Sequence, residues 1–188
     1  WDWPYYAEKL KKEKFNVNDE LTKPYFRLEN VEKSIFSLIN RLYGLRFVLK
    51  SELPVYHPDV RAYEVIDDEG RFIALLYLDY FPREGKQGGA WMTNYLEQFK
   101  KGSHDFRPHV SLVYNFTKPA GTKPSLLTYE EFRTFLHEFG HALHSMLSEC
   151  NYWSLSGTNV YRDFVELPSQ IMENWGEEKE WLNEVAVH

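Results

Sequence analysis

Residues 135–144 read FLHEFGHALH, with three histidines, at 137, 141 and 144, and a glutamate beside the first. On an α-helix each residue turns about 100° and rises about 1.5 Å. His137 and His141 are four apart, so they lie on one face, one turn from each other. Two imidazoles so placed can converge on one ion. Glu138 is offset by one step around the helix and can lie beside the ion without ligating it. This is the H-E-x-x-H arrangement, in which the carboxylate acts as general base on a water held by the metal. His144 faces nearly the same way as His137, but about 10 Å of axial rise separates them. Zn–N bonds are only about 2.0–2.1 Å long, so His144 is expected to pack or hydrogen-bond nearby rather than to ligate. A bare H-E-x-x-H is only three fixed residues and arises by chance; its surroundings give it weight.

Those surroundings are LTYEEFRTFLHEFGHALHSMLSE, residues 127–149. Phe132, Phe135, Leu136, Phe139, Leu143 and Met146 form an apolar stripe at helical spacing. Thr128, with Glu131 three residues on, fits a capping box. Gly140 costs about 1 kcal/mol against Ala inside a helix, so close packing against another element is expected there. A third ligand must come from elsewhere, and the acidic candidates stand in RDFVELPSQIMENW. Asp163, Glu166 and Glu173 are expected to share a face, at three- and seven-residue intervals, with a kink or break expected at Pro168. Acidic residues on a helix are ordinarily solvated surface. Here Phe164, Val165 and Leu167 flank Glu166, so its carboxylate is expected to be partly buried and to need a cation or hydrogen bonds. Glu166, 25 residues after His141, is the favoured third ligand. Two histidines, one carboxylate and a water make a common catalytic zinc site.

Outward from this core, residues 1–50 read as helical. ENVEKSIFSLINRLYG places Val31, Ile35, Leu38, Ile39 and Leu42 at helical spacing, with Gly44 as C-cap. Residues 55–116 read as strand-rich. RAYEVID and RFIALLYLDYF form two strands joined by a tight turn at Asp68–Gly70, and HVSLVYNF at 109–116 is a third. REGKQGGAW reads as a glycine-bearing loop; Gly88 and Gly89 lack the Lys-Ser/Thr that completes a phosphate loop. Residues 125–188 read as helical and metal-binding. Surface or hydrogen-bonding roles suit His104 and His109, and Tyr152 and Trp153 are read as either core or subsite. The expected fold class is α+β, mainly helical, with a small β-sheet beside the H-E-x-x-H helix, in one partial domain spanning 1–188.

Composition narrows the function classes. The 188 residues are 43% hydrophobic and 17% aromatic, enough for a packed core. A net charge of -6 with no long basic run argues against a nucleic-acid partner. No apolar run approaches the roughly 20 residues of a membrane helix. A lone cysteine, Cys150, excludes an intramolecular disulfide and fits a reducing compartment, so a cytoplasmic location is expected. WDWPYYAEKL has no initiator Met and no signal-peptide pattern, and EWLNEVAVH stops inside a helical pattern. The chain is therefore expected to be a piece of a longer protein, from which a targeting segment could be missing.

HEFGHALH followed by SGTNVYRDFVELPSQIMENW resembles the thimet oligopeptidase, oligopeptidase A and peptidyl-dipeptidase group of zinc metallopeptidases. GGAWM and YNFTKPA resemble the peptidyl-dipeptidase (dipeptidyl carboxypeptidase) branch, and the opening WDWPYYAEKLKKEKF is similar to the family's catalytic region. The resemblance implies a zincin-like catalytic fragment holding one Zn²⁺ per chain through His137, His141 and Glu166, with Glu138 as the general base. It implies short peptide substrates and no membrane. It matches Asp163 to an acidic position that would orient a ligand histidine, with Glu173 as the weaker candidate for that task. Family members carry a further lobe, and downstream of the ligand glutamate a histidine and tyrosines that bind substrate; neither is in these 188 residues. Two alternatives stay open: a zinc-stabilised, non-catalytic interaction domain, and a fragment inactive in isolation. The strand at 109–115 is expected to pair with substrate backbone by β-addition.

Overall fold

Helix runs to Gly44 and then gives way to sheet. The computed structural model describes residues 2–16 and 18–188; Trp1 and Val17, within the stretch expected to be helical, lie outside them. The chain opens with helices α1 (Trp3–Phe15), α2 (Asp19–Thr22) and α3 (Leu28–Tyr43). Helix α3 buries Val31, Ile35, Leu38 and Ile39 of the expected stripe, whereas Leu42, its last member, is exposed. Gly44 ends it in the left-handed region at φ 67°, and a side chain there would also press within 2.6 Å of the Asp68 carboxylate. Residues 46–49, expected to continue the helical segment, form strand β1 (Arg46–Leu49) instead. Four residues are too few for periodicity to separate strand from helix. Phe47 decides the matter by stacking on Phe36, centroids 4.2 Å apart.

Strands β2 (Arg61–Ile66) and β3 (Phe72–Asp79) form the expected hairpin. Asp67 holds its turn by accepting hydrogen bonds from the backbone N–H of Glu69 and of Arg71. Strand β4 (Trp91–Leu96), a ribbon of β5 (Phe99–Lys101) and β6 (His104–Phe106), and β7 (His109–Val113) follow. The main sheet has the order β1-β2-β3-β7-β4; β3 and β7 run parallel, and the other neighbours are antiparallel. Two expectations are corrected here. β4 starts at Trp91, the last residue of what read as loop, and β7 cannot receive a substrate strand because β3 and β4 occupy both its edges. The cause is burial: Val110 and Leu112 are fully buried, and the β-branched, apolar composition that marked 109–116 as a strand is that of a central strand. The outer strands of the sheet are β1 and β4, and β4 is the one beside β7.

Helix α4 (Tyr129–Met146) lies against β7 and β4. Its stripe joins Tyr80, Tyr114 and Phe116 in an aromatic core; Phe135 sits 5.1 Å from Tyr114 and 5.5 Å from Tyr80. The chain then breaks around Pro168 into α5 (Arg162–Val165) and α6 (Leu167–Glu173), and ends in α7 (Lys179–Val185). Gly140 is where α6 meets α4: a Cβ there would lie 2.5 Å from both the Pro168 carbonyl oxygen and Ser169 Cα. The glycine expected to mark close packing does so. The architecture is mixed helix and sheet, as expected of an α+β chain. Among the described residues no helix is long and apolar enough to cross a membrane.

Candidate metal centre

The start of α4 is set by a reciprocal pair. Thr128 Oγ1 accepts from Glu131 N–H at 3.0 Å, and the Glu131 carboxylate accepts from Thr128 N–H at 2.7 Å. From there the helix places His137 and His141 one turn apart, with ring centroids 4.9 Å from each other. Glu166 sits at the junction between α5 and α6, the point where the helical run breaks. Its Oε2 lies 3.2 Å from Nε2 of His137 and 3.2 Å from Nε2 of His141. One donor atom from each of the three lies within 4.8 Å of the other two. The buried Ser169 hydroxyl, 2.9 Å from both the carbonyl and Oε2 of Glu166, steadies the carboxylate.

The donor set fits zinc. In a tetrahedral site with bonds of about 2.0–2.1 Å, neighbouring donor atoms stand about 3.3 Å apart. The two nitrogen–oxygen separations of 3.2 Å match that edge. Two imidazole nitrogens and one carboxylate oxygen leave a fourth position open, as catalytic zinc sites do. Protonation states suit ligation too. Burial pushes the His141 pKa down, outweighing the pull of Glu166, and so favours the neutral imidazole. Burial pushes the Glu166 carboxyl up, but the Ser169 hydroxyl and both histidines together hold it below its ordinary value. Glu138, only 8% exposed, goes the other way. Burial raises its pKa and the nearby Glu166 adds to this, against His137 and a backbone hydrogen bond from Met92 on the edge strand.

The outer contacts differ from expectation. His137 Nδ1 meets Glu173 Oε1 at 2.6 Å, and the other ring nitrogen, Nε2, is the one that faces Glu166. Glu173, not Asp163, is the carboxylate beside His137. Asp163 is exposed, because the break after Val165 removes residues before it from the register of those after it. The Nδ1 of His141 is buried with no hydrogen-bond partner among the described residues. Glu166 itself is 49% exposed in its side chain, and of its apolar neighbours Phe164 and Leu167 are exposed and only Val165 is half-buried, so these neighbours do little to cover it. What positions Glu166 is the helix break and Ser169. His144 does not join the donor group; its ring meets Phe164 edge-on at 6.1 Å. Tyr152 and Trp153 are exposed rather than core. Arg133, whose guanidinium reaches Glu173 at 2.6 Å, had no signal in the sequence beyond its four-residue distance from His137.

Two hollows share His137, Glu138 and Ala90 as a common wall. One, about 300 Å³, reaches Met92 and Glu166; the other, about 320 Å³, reaches Arg133 and Glu173. The site therefore lies in an open cleft between α4 and the edge strand. The model of peptidase family M3 matches residues 1–188. The chain belongs to peptidase family M3. It is 44% identical to a dipeptidyl carboxypeptidase of Escherichia coli K12, with all of this chain and 28% of that protein covered. Oligopeptidase A of the same organism is 40% identical and a thimet-like oligopeptidase of Dictyostelium discoideum 37%, again over the whole chain and 28% of each relative. The chain thus spans 28% of the length of these M3 relatives.

Proposed function

We propose that this chain carries the zinc-binding, peptide-hydrolysing centre of an M3 peptidase, with His137, His141 and Glu166 as ligands in a zincin-like arrangement. One observation carries the reading: a single oxygen of Glu166 stands 3.2 Å from both imidazole Nε2 atoms, with Glu138 next in sequence to one of them. Zinc, when bound, supplies a Lewis acid that acidifies water and polarises a carbonyl. The chain's own residues supply the rest. Glu138 takes a proton from the attacking water onto its carboxylate and delivers it to the leaving amine nitrogen. Its desolvation raises the basicity it needs for this work. The free edge of β4, at Trp91 and Met92, offers backbone groups that can hold a peptide across the cleft in extended form.

Short peptides are the proposed substrates, in keeping with relatives named dipeptidyl carboxypeptidase and oligopeptidase A. A cytoplasmic location is proposed as well; one relative from Arabidopsis thaliana, 39% identical, is named a probable cytosolic oligopeptidase A. The test is Glu138→Gln, with zinc stoichiometry and cleavage of quenched peptides measured together. The expected result is one zinc per chain in both proteins and a loss of turnover of about 10²–10⁴-fold in the variant. Zinc uptake with no cleavage by the unaltered chain would leave a non-catalytic domain or a fragment inactive in isolation, which the same assay on the full-length protein separates; undiminished turnover in the variant would remove Glu138 from its role.

A further inference from the structure

We propose that Arg133 is a positioning residue of the metal centre, clamping Glu173 so that His137 keeps Nε2 turned toward the ion. The inference rests on the reading of His137, His141 and Glu166 as ligands. Arg133 and His137 stand four residues apart on α4 and so share a face of that helix. Both reach across to Glu173, at the end of α6. His137 Nδ1 takes Oε1 at 2.6 Å and an Arg133 terminal nitrogen takes Oε2 at 2.6 Å. A carboxylate held through one oxygen can turn about its own axis and trade oxygens. Held through both, it is fixed in plane and direction, and the imidazole bonded to it is fixed in turn.

The guanidinium is oriented toward this contact at the expense of others. Arg133 Nε is buried with no hydrogen-bond partner among the described residues, and the second acid within range, Glu130, lies farther off at 3.9 Å. Glu173 is 20% exposed in its side chain, so without Arg133 it could turn to water and release the His137 ring. Carboxylates bonded directly to a ligand histidine are worth about 10–100-fold in metal affinity. A residue one bond farther out should be worth less, about three- to tenfold.

The same contact also ties α6 to α4, so the test separates positioning from docking. Zinc affinity is measured by chelator competition on the 188-residue chain and on R133M, R133K, E173Q and R133M/E173Q, with melting of each zinc-free protein alongside. The expected result is a three- to tenfold weaker affinity in R133M, part of it restored in R133K, and no additional loss when R133M is added to E173Q. Unchanged affinity in R133M, or the same loss with and without the Glu173 charge, overturns the inference. Should R133M fail to fold, R133K is read alone: weakened affinity at an unchanged zinc-free melting temperature supports the clamp, and wild-type affinity overturns it. H137A serves as the control. A wild-type chain that binds zinc no better than H137A refutes the ligand assignment itself, a result distinct from failure of the Arg133 variants.

Discussion

At the scale of single residues, the centre depends on small groups that hold larger ones. Ser169 is fully buried and its hydroxyl lies 2.9 Å from Glu166 Oε2, the oxygen that both histidines face. Its removal leaves the half-exposed carboxylate free to rotate into solvent. Ser169→Ala is expected to weaken zinc binding about tenfold, in the range of other outer-shell contacts, with chelator competition as the measurement. His144 gives the contrasting case. It lies on the same helix, three residues after a proposed ligand, yet its ring packs on Phe164. His144→Ala should leave zinc affinity within about twofold of wild type, since ligand exchange over an axial rise of about 10 Å is excluded by the helix. A larger loss would show that His144 reaches the ion.

At the scale of elements, the distance between α4 and α6 is set by the missing side chain of Gly140. Alanine would gain about 1 kcal/mol of helix propensity. Its Cβ would also sit 2.5 Å from backbone atoms of Pro168 and Ser169, which cannot yield as a flexible side chain can. Overpacking of this kind costs about 1–3 kcal/mol, so urea melts of Gly140→Ala should show a net loss. Zinc affinity should fall with it, because the displaced backbone carries Glu166. This contact was legible in the sequence, as were α3, α4 and the β2–β3 hairpin, because long periodic runs and a glycine out of place have one dominant physical meaning. Strand β4 was not. It is an edge strand, half-buried except at the exposed Tyr95, so Thr93 and Asn94 carry no alternation to read. Glu166 was selected through three apolar neighbours, two of which, Phe164 and Leu167, prove exposed; the break that places it depends on how α6 seats on Gly140, a tertiary fact. The choice between Asp163 and Glu173 was hidden for the same reason.

The loop that leads into β4 is tied down by a buried charge cluster. Asp79, 1% exposed, accepts from Arg83 through both oxygens, from Lys86 Nζ at 2.9 Å and from the Tyr56 hydroxyl at 2.9 Å. Lys86, 3% exposed in its side chain, also donates to the Asp79 and Phe81 carbonyls. Burial alone would raise the Asp79 pKa; the hydrogen bonds from Arg83, Lys86 and Tyr56 outweigh it and hold the pKa below its ordinary value. A depressed carboxyl contributes stability above its unfolded pKa and loses it as pH falls through the folded one. Asp79→Asn should therefore cost about 3 kcal/mol at pH 7, where it leaves Lys86 buried without a counter-charge. The gap to wild type should hold down to about pH 4 and narrow below it. Denaturant titrations at pH 7 and pH 3 check both halves; a gap that does not change with pH would mean that the Asp79 charge is not what holds the loop.

On the scale of the whole molecule, the three proposed ligands join a helix of the core to a break in the chain whose own side chains are half-exposed. His137 and His141 belong to a helix embedded in the aromatic core, whereas Glu166 belongs to a short, half-exposed helical junction. A metal bound there bonds the junction to the core and binds the folded chain far better than the unfolded one. Mass action then stabilises the fold by about 2.7 kcal/mol when free zinc stands at 100 times its dissociation constant. For a chain of this size each kcal/mol moves the melting temperature by about 2–4 °C, so saturating zinc should raise it by roughly 5–10 °C. Chelator should reverse the rise. Glu166→Gln should abolish most of it, while leaving the zinc-free melting temperature nearly unchanged, because the Glu166 side chain is 49% exposed and buries little without the ion. Thermal melts of the two proteins with zinc and with chelator measure all four states. An equal rise in both would mean that zinc binds elsewhere on the chain, and the assignment of Glu166 would fall.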